Sequence, residues 1–262
     1  MGRRYQRGVL YFWVMITLAM GVSARAEDAA QSLKARASAF WDAQVRGDWA
    51  TVYGFLPAEE TAHTTREQFA SFRKEKGPFR YLSAQVGQVT VAGDLGWVEV
   101  THESQPQGYP TLPPKHLHIW DLWRKREGQW SPVPKAQIGQ WPKLPPQLRP
   151  AEEEAALAKR AQELWKVTER GDGASIYQYL EPGFQSRVPL EQFLKKKPRY
   201  LYLSHRFEWV EVINDHGRVK VAYTTKLNDP SLTKMDPQDH ETIEDWIKID
   251  NQWYRQVREP NN

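Results

Sequence analysis

The 262-residue chain contains no cysteine. That excludes disulfides, thiol catalysis, c-type haem attachment and lipid attachment through a cysteine. It has no Gly-rich phosphate loop and no Gly-x-Ser-x-Gly nucleophile elbow. The apolar run from Val9 to Val22 is shorter than the roughly 20 residues a spanning helix needs. Arg3, Arg4 and Arg7 precede that run and Ala24-Arg25-Ala26 follows it, the pattern of a secretory leader. Residues 1–26 are therefore expected to be a signal peptide cleaved before Glu27, leaving a periplasmic or secreted chain without a stable membrane anchor.

Charge of one sign is lacking as well. The leader holds four of the 36 basic residues and no acidic one, so the remainder balances at 32 against 32. The basic isoelectric point belongs to the leader, and neither half of the mature chain has the cationic excess of a nucleic-acid binder. The runs Arg124-Lys125-Arg126 and Lys195-Lys196-Lys197-Pro198-Arg199 read as a solvated strand end and a helix C-terminus.

Tryptophan, in contrast, is abundant, and it marks an internal duplication. Phe40-Trp41, Arg46-Gly47-Asp48, Tyr53, Leu56 and Glu67-Gln68-Phe69 return 124 positions later as Leu164-Trp165, Arg170-Gly171-Asp172, Tyr177, Leu180 and Glu191-Gln192-Phe193. A unit of this length is too long for a solenoid repeat and fits an independent domain. Without disulfides, each copy must be held by its own core. Trp41 with Trp165, Trp123 with Trp246 and Trp130 with Trp253 are the expected anchors.

Both copies read as helices followed by strands, an α+β plan. Residues 32–46 carry Leu33, Ala37, Phe40 and Trp41 at helical spacing; Gly47 stops that helix and Asp48 caps a second. Thr64 with Glu67 predicts a capping box for a third, and Pro189 predicts the first position of its counterpart. The period then changes: strands are expected around Gly93-Asp94 and Asn214-Asp215, then from His116 to Trp130 and from Thr242 to Trp253. The expected organisation is residues 1–26 leader, 27–131 first domain, 132–150 Pro-rich linker and 151–262 second domain. Polyproline conformation would make the linker semi-rigid, with Trp141 packing on a neighbouring domain.

The element order, the helix-Gly-Asp-helix junction and the tryptophans bracketing the last hairpin, Trp123/Trp130 and Trp246/Trp253, resemble the nuclear transport factor two-like superfamily, including SnoaL-like and ketosteroid-isomerase-like proteins. The resemblance implies two cones, each with a concave antiparallel sheet and helices enclosing a pocket. It also implies that the two pack as an intramolecular pseudo-dimer. Such folds host isomerases, dehydratases and cyclases, and also pure binding proteins, so the fold does not select among them.

An enzyme of that kind needs a base and an oxyanion donor in its pocket. The catalytic candidates are Asp121, its counterpart Glu244, and His102 and His118, with Tyr223 a donor in the second copy. The pocket walls are expected from Trp120, Trp123, Tyr223 and Trp246. His116 and His118 share a strand face, but two imidazoles are not a metal site. A third ligand would have to come from His102 or Glu103, where the second copy offers only His240 and Thr242, so neither a metal nor another cofactor is expected. With aromatics kept in both copies and polar candidates diverged, the favoured reading is a non-catalytic tandem module for a small apolar ligand or a protein partner. The alternative is a cofactor-free isomerase or lyase using Asp121 in the first domain.

Overall fold

The computed structural model describes residues 8–109, 111–195, 198–229 and 235–257, with residues 8–26 described as backbone alone. The expected leader thus falls partly on residues 1–7, outside the described residues, and partly on the start of helix α1, Gly8–Arg46. Among the described residues no helix is long and apolar enough to cross a membrane.

The chain divides into two units between Pro145 and Pro146. In the first, α1 is followed by α2 (Trp49–Tyr53), α3 (Ala58–Thr61), α4 (Arg66–Lys76) and strands β1 (Phe79–Ala92), β2 (Leu95–Pro106), β3 (Lys115–Arg126) and β4 (Gln129–Pro132). In the second, α5 (Ala151–Glu169), α6 (Gly173–Tyr177), α7 (Pro182–Arg187) and α8 (Leu190–Leu194) precede β5 (Tyr200–Ile213), β6 (His216–Leu227), β7 (Gln238–Ile249) and β8 (Gln252–Arg255). Each unit is α+β, with helices first and then a curled four-stranded antiparallel half-barrel in sequential order. Strand lengths of 14, 12, 12 and 4 residues occur in both.

The Gly-Asp junction explains why the helical half repeats so faithfully. Gly47 and Gly171 both adopt φ of 67°, a left-handed backbone that glycine enters without steric cost. Gly47 N–H then reaches the Gln44 carbonyl and Asp48 N–H the Ala43 carbonyl; Gly171 and Asp172 do the same to Thr168 and Val167. This Schellman pattern satisfies the orphan carbonyls of the long helix. The aspartate next caps the short one: Asp48 accepts from Thr51 N–H and Asp172 from Ser175 N–H, both at 3.1 Å.

Three local expectations shift. The capping box of α4 is Thr65 with Gln68, one residue beyond Thr64 with Glu67. Both pairs fit the pattern, but the hydroxyl of Tyr53 donates to the Thr64 carbonyl at 2.6 Å and fixes that residue before the helix begins. Tyr177 does the same to Val188 at 2.8 Å. Pro189 is the N-cap of α8 and not its first residue. The short helices α3 and α7 have no counterpart in the sequence reading.

Each sheet packs one face on its long helix. In the first unit Leu33, Ala37, Phe40 and Trp41 of α1 meet Val98, Val100, Trp123 and Trp130. In the second, Leu157, Ala161, Leu164 and Trp165 meet Val219, Val221, Trp246 and Trp253. Two glycines let helix and sheet approach: a Cβ on Gly96 would lie 2.2 Å from Leu33 Cδ2, and one on Gly217 2.3 Å from Leu157 Cδ2. Arg36 and Arg160 each donate to the carbonyl of the closing-strand tryptophan, Trp130 and Trp253.

The outer faces differ. That of the first unit buries Leu95, Trp97 and Leu122 against Val133, Trp120 and Trp141. Trp97 Nε1–H donates to the Pro142 carbonyl at 3.1 Å, and the Arg124 guanidinium lies 4.6 Å from the Trp141 ring. Part of the segment read as a linker is therefore chain packed on the first sheet, through Val133, Trp141 and Pro142. In the second unit the Trp97 position is Arg218, paired with the buried Glu211 at 3.5 Å, and Lys220 bridges Glu208 and Glu241 at 2.9 and 3.0 Å.

Candidate functional site

Strand alternation decides which candidates meet. Along β3, Ile119, Asp121 and Trp123 face α1, whereas His116, His118, Trp120 and Leu122 face outward. Asp121 Oδ2 accepts the indole N–H of Trp41 at 3.0 Å and of Trp123 at 3.1 Å. The residue keeps some exposure, but its carboxyl is enclosed by protein, and burial pushes its pKa up to about 6 against the two indole donors.

His102 of β2 shares this inner face. It is 7 % exposed, stacks on Trp41 at 5.2 Å and 21°, and meets Tyr81 edge-on at 5.3 Å. Its Nδ1 is buried without a hydrogen-bond partner among the described residues, and burial lowers its pKa. Burial also raises the Tyr81 phenol, with Arg73 opposing.

His118 is not part of this group. On the outer face it pairs with Glu99 at 2.8 Å, while Glu99 also accepts the Gln88 N–H at 3.0 Å. His116 stands 3.6 Å from Glu103. His102 lies on the opposite face of the sheet and cannot join them, and although Glu103 is beside His116, among the described residues no three metal-binding side chains converge. Trp120 is likewise corrected: it packs with the outer cluster and not beside Trp123.

In the second unit Glu244 is 4 % exposed, accepts the Trp246 indole at 3.3 Å and pairs with Arg255 at 3.2 Å. Arg255 occupies the register position of Pro132, so the cation that answers Glu244 has no equivalent beside Asp121. Trp165 Nε1 is left without a partner among the described residues. Trp123 and Trp246 are both fully buried, which removes them from any ligand-exposed wall.

The sequence reading passed over His205. Its ring stacks on Trp165 at 5.3 Å and 24°, as His102 does on Trp41. Nδ1 lies 2.6 Å from Glu169 Oε1 and Nε2 lies 2.8 Å from Gln162. The signal lies in cross-strand register: Ala84 pairs with His102, and at the equivalent rung His205 pairs with Tyr223. A comparison along one strand misses an imidazole that has changed strands.

Open space lies away from the buried carboxylates. A cleft of about 780 Å³ opens in the first unit, lined by residues that include Gln44, Arg46, Trp49, Lys74, Phe79 and Tyr81. One of about 480 Å³ in the second is lined by residues that include His205, Tyr223, Asp239 and His240. Neither cleft is lined by Asp121 or Glu244.

No family model matches the chain, and no curated protein matches it. Several solved structures show partial likeness, three of them as follows. A SEC-C motif containing protein from Rhodopseudomonas palustris is 17% identical over 36% of this chain and 69% of its own, with a TM-score of 0.28. An LEH-like epoxide hydrolase of M. tuberculosis is 14% identical over 40% and 83%, with a TM-score of 0.29. An Ntf2 like protein involved in plasmid conjugation is 9% identical over 77% and 84%, with a TM-score of 0.27. At such scores the fold assignment rests on the chain's own topology.

Proposed function

We propose that this chain is an exported, non-catalytic tandem module of the nuclear transport factor two-like, SnoaL-like type that binds a small, largely apolar ligand or a protein partner. The observation that carries the reading is the commitment of the candidate carboxylates. Asp121 is tied to two buried indoles and Glu244 to an indole and Arg255, while the accessible clefts lie elsewhere. A base needs a free lone pair near a reacting proton. These carboxylates instead satisfy donors that would otherwise be buried unpaired.

Mass spectrometry of what co-purifies with the chain from the periplasm tests this reading. A stoichiometric small molecule or protein is expected, and an empty chain that turns over small carbonyl substrates would reject it. The cofactor-free isomerase or lyase reading keeps one supporting observation, the Asp121 pKa of about 6, which suits a base near neutral pH. Turnover that vanishes in Asp121→Asn with the fold intact would establish it.

A further inference from the structure

The first-unit cleft has a charge pattern as well as a volume. Arg46, Lys74 and Arg80 line it, and no carboxylate does. Arg46 is partly answered by Asp48, outside the lining, whereas Lys74 and Arg80 make no ion pair among the described residues. The negative end of α1 is not exposed to a ligand in the usual way, because Gly47 and Asp48 N–H groups occupy the Gln44 and Ala43 carbonyls.

The walls between these cations are aromatic. Trp49, 7 % exposed and with the Arg73 guanidinium 4.6 Å from its ring, lines the cleft together with Tyr81 and with Phe79, which is 40 % exposed. Gln44, 6 % exposed, lines the same space, and its side-chain amide has no partner among the described residues. The Gln44 amide is not among the buried unpartnered groups, so it reaches the open space of the cleft and is available to a ligand or to water. The Gln107 amide donates to the Lys74 carbonyl and ties the end of α4 to the chain beyond β2.

The duplication isolates this feature. The repeat position of Trp49 is Gly173, where a Cβ would lie 2.8 Å from Leu194 Cδ2. The second unit thus fills with a leucine the place that the first lines with an indole. A volume of about 780 Å³ is in the range of a small-molecule site.

Resting on the binding reading above, we infer that the first-unit cleft selects an organic anion with an apolar, aromatic or acyl body, the acid group held by Lys74, Arg80 and Arg46 and the body lying on Trp49, Phe79 and Tyr81. Gln44, which lines the same cleft, supplies a neutral hydrogen bond. The second unit has no such role.

The test titrates the full chain with 1-anilinonaphthalene-8-sulfonate and with its uncharged analogue N-phenyl-1-naphthylamine, following probe fluorescence. The sulfonate is expected to bind at least tenfold more tightly than the neutral probe, and less tightly as salt rises. Lys74→Gln with Arg80→Gln, both exposed and outside the core, is expected to weaken the sulfonate about tenfold and leave the neutral probe unchanged. Equal binding of the two probes, insensitive to the double variant, would overturn anion selection while leaving a binding cleft. Failure of both probes to bind would remove the small-ligand reading together with the inference.

Discussion

His102 and His205 stand on opposite strands of one equivalent rung, yet each lies flat on the tryptophan of its own long helix, at 5.2 and 5.3 Å. The stacked pair has been kept while the residue supplying it changed strands. What the two units share at this point is therefore a packing geometry, and the polar partners around it have diverged: an unpaired Nδ1 on His102, but Glu169 and Gln162 on His205.

Asp121 makes stability depend on pH in a direction opposite to most carboxylates. Its folded pKa of about 6 lies above the unfolded value, so folding favours the protonated form. The contribution is present in full below about pH 4 and is lost as pH rises through about 6, a change of up to about 3 kcal/mol. Asp121→Asn can keep one oxygen for both indoles and has no charge to lose. Urea melts from pH 4 to 8 should show this slope in the parent and not in the variant, and Asp121→Ala should cost about 2–4 kcal/mol at pH 4 and progressively less as pH rises through about 6.

The two helix tryptophans should respond differently to loss of the indole N–H. Trp41→Phe removes a hydrogen bond to Asp121, whereas Trp165→Phe removes a buried N–H that has no partner among the described residues. Thermal melts are expected to show Trp41→Phe costing about 1 kcal/mol more than Trp165→Phe. Equal losses would mean that Asp121 does not distinguish the units.

Gly96→Ala and Gly217→Ala should each destabilise the chain by about 1–3 kcal/mol, because the new methyl enters the space of Leu33 or Leu157. Pairing each with Leu33→Ala or Leu157→Ala should recover part of the loss. The measurement is the non-additivity of the double variants in denaturant melts.

The start of α4 separates two sequence patterns that look alike. Thr65→Ala removes the side-chain oxygen that accepts the Gln68 N–H at 3.2 Å and should cost about 1 kcal/mol. Thr64→Ala leaves the carbonyl used by Tyr53 and should cost little. Chemical denaturation of the two variants decides between them.

By itself the sequence determined whatever is settled within a few residues. Gly47-Asp48 and Gly171-Asp172 dictate the helix junctions through left-handed backbone and a capping carboxylate. Glu127-Gly128 and Asp250-Asn251 take positive φ and close the last hairpins where turn chemistry places them. The tertiary structure alone decided which side chains share a face. Strands β1 and β5 each carry two register shifts, at Tyr81/Ser83 and Val86/Val89 and at Tyr202/Ser204 and Phe207/Trp209, so alternation cannot be counted along them. His205 lies on β5 just beyond such a shift, whereas His118 and Trp120 fall outside and His102 inside because β2 and β3, paired without a shift, turn those positions to opposite faces of the sheet. The cleft at Trp49 was equally illegible, since it is the gap left where the end of α1, the end of α4 and the β1–β2 rim fail to fill space, and no local pattern encodes an absence of packing.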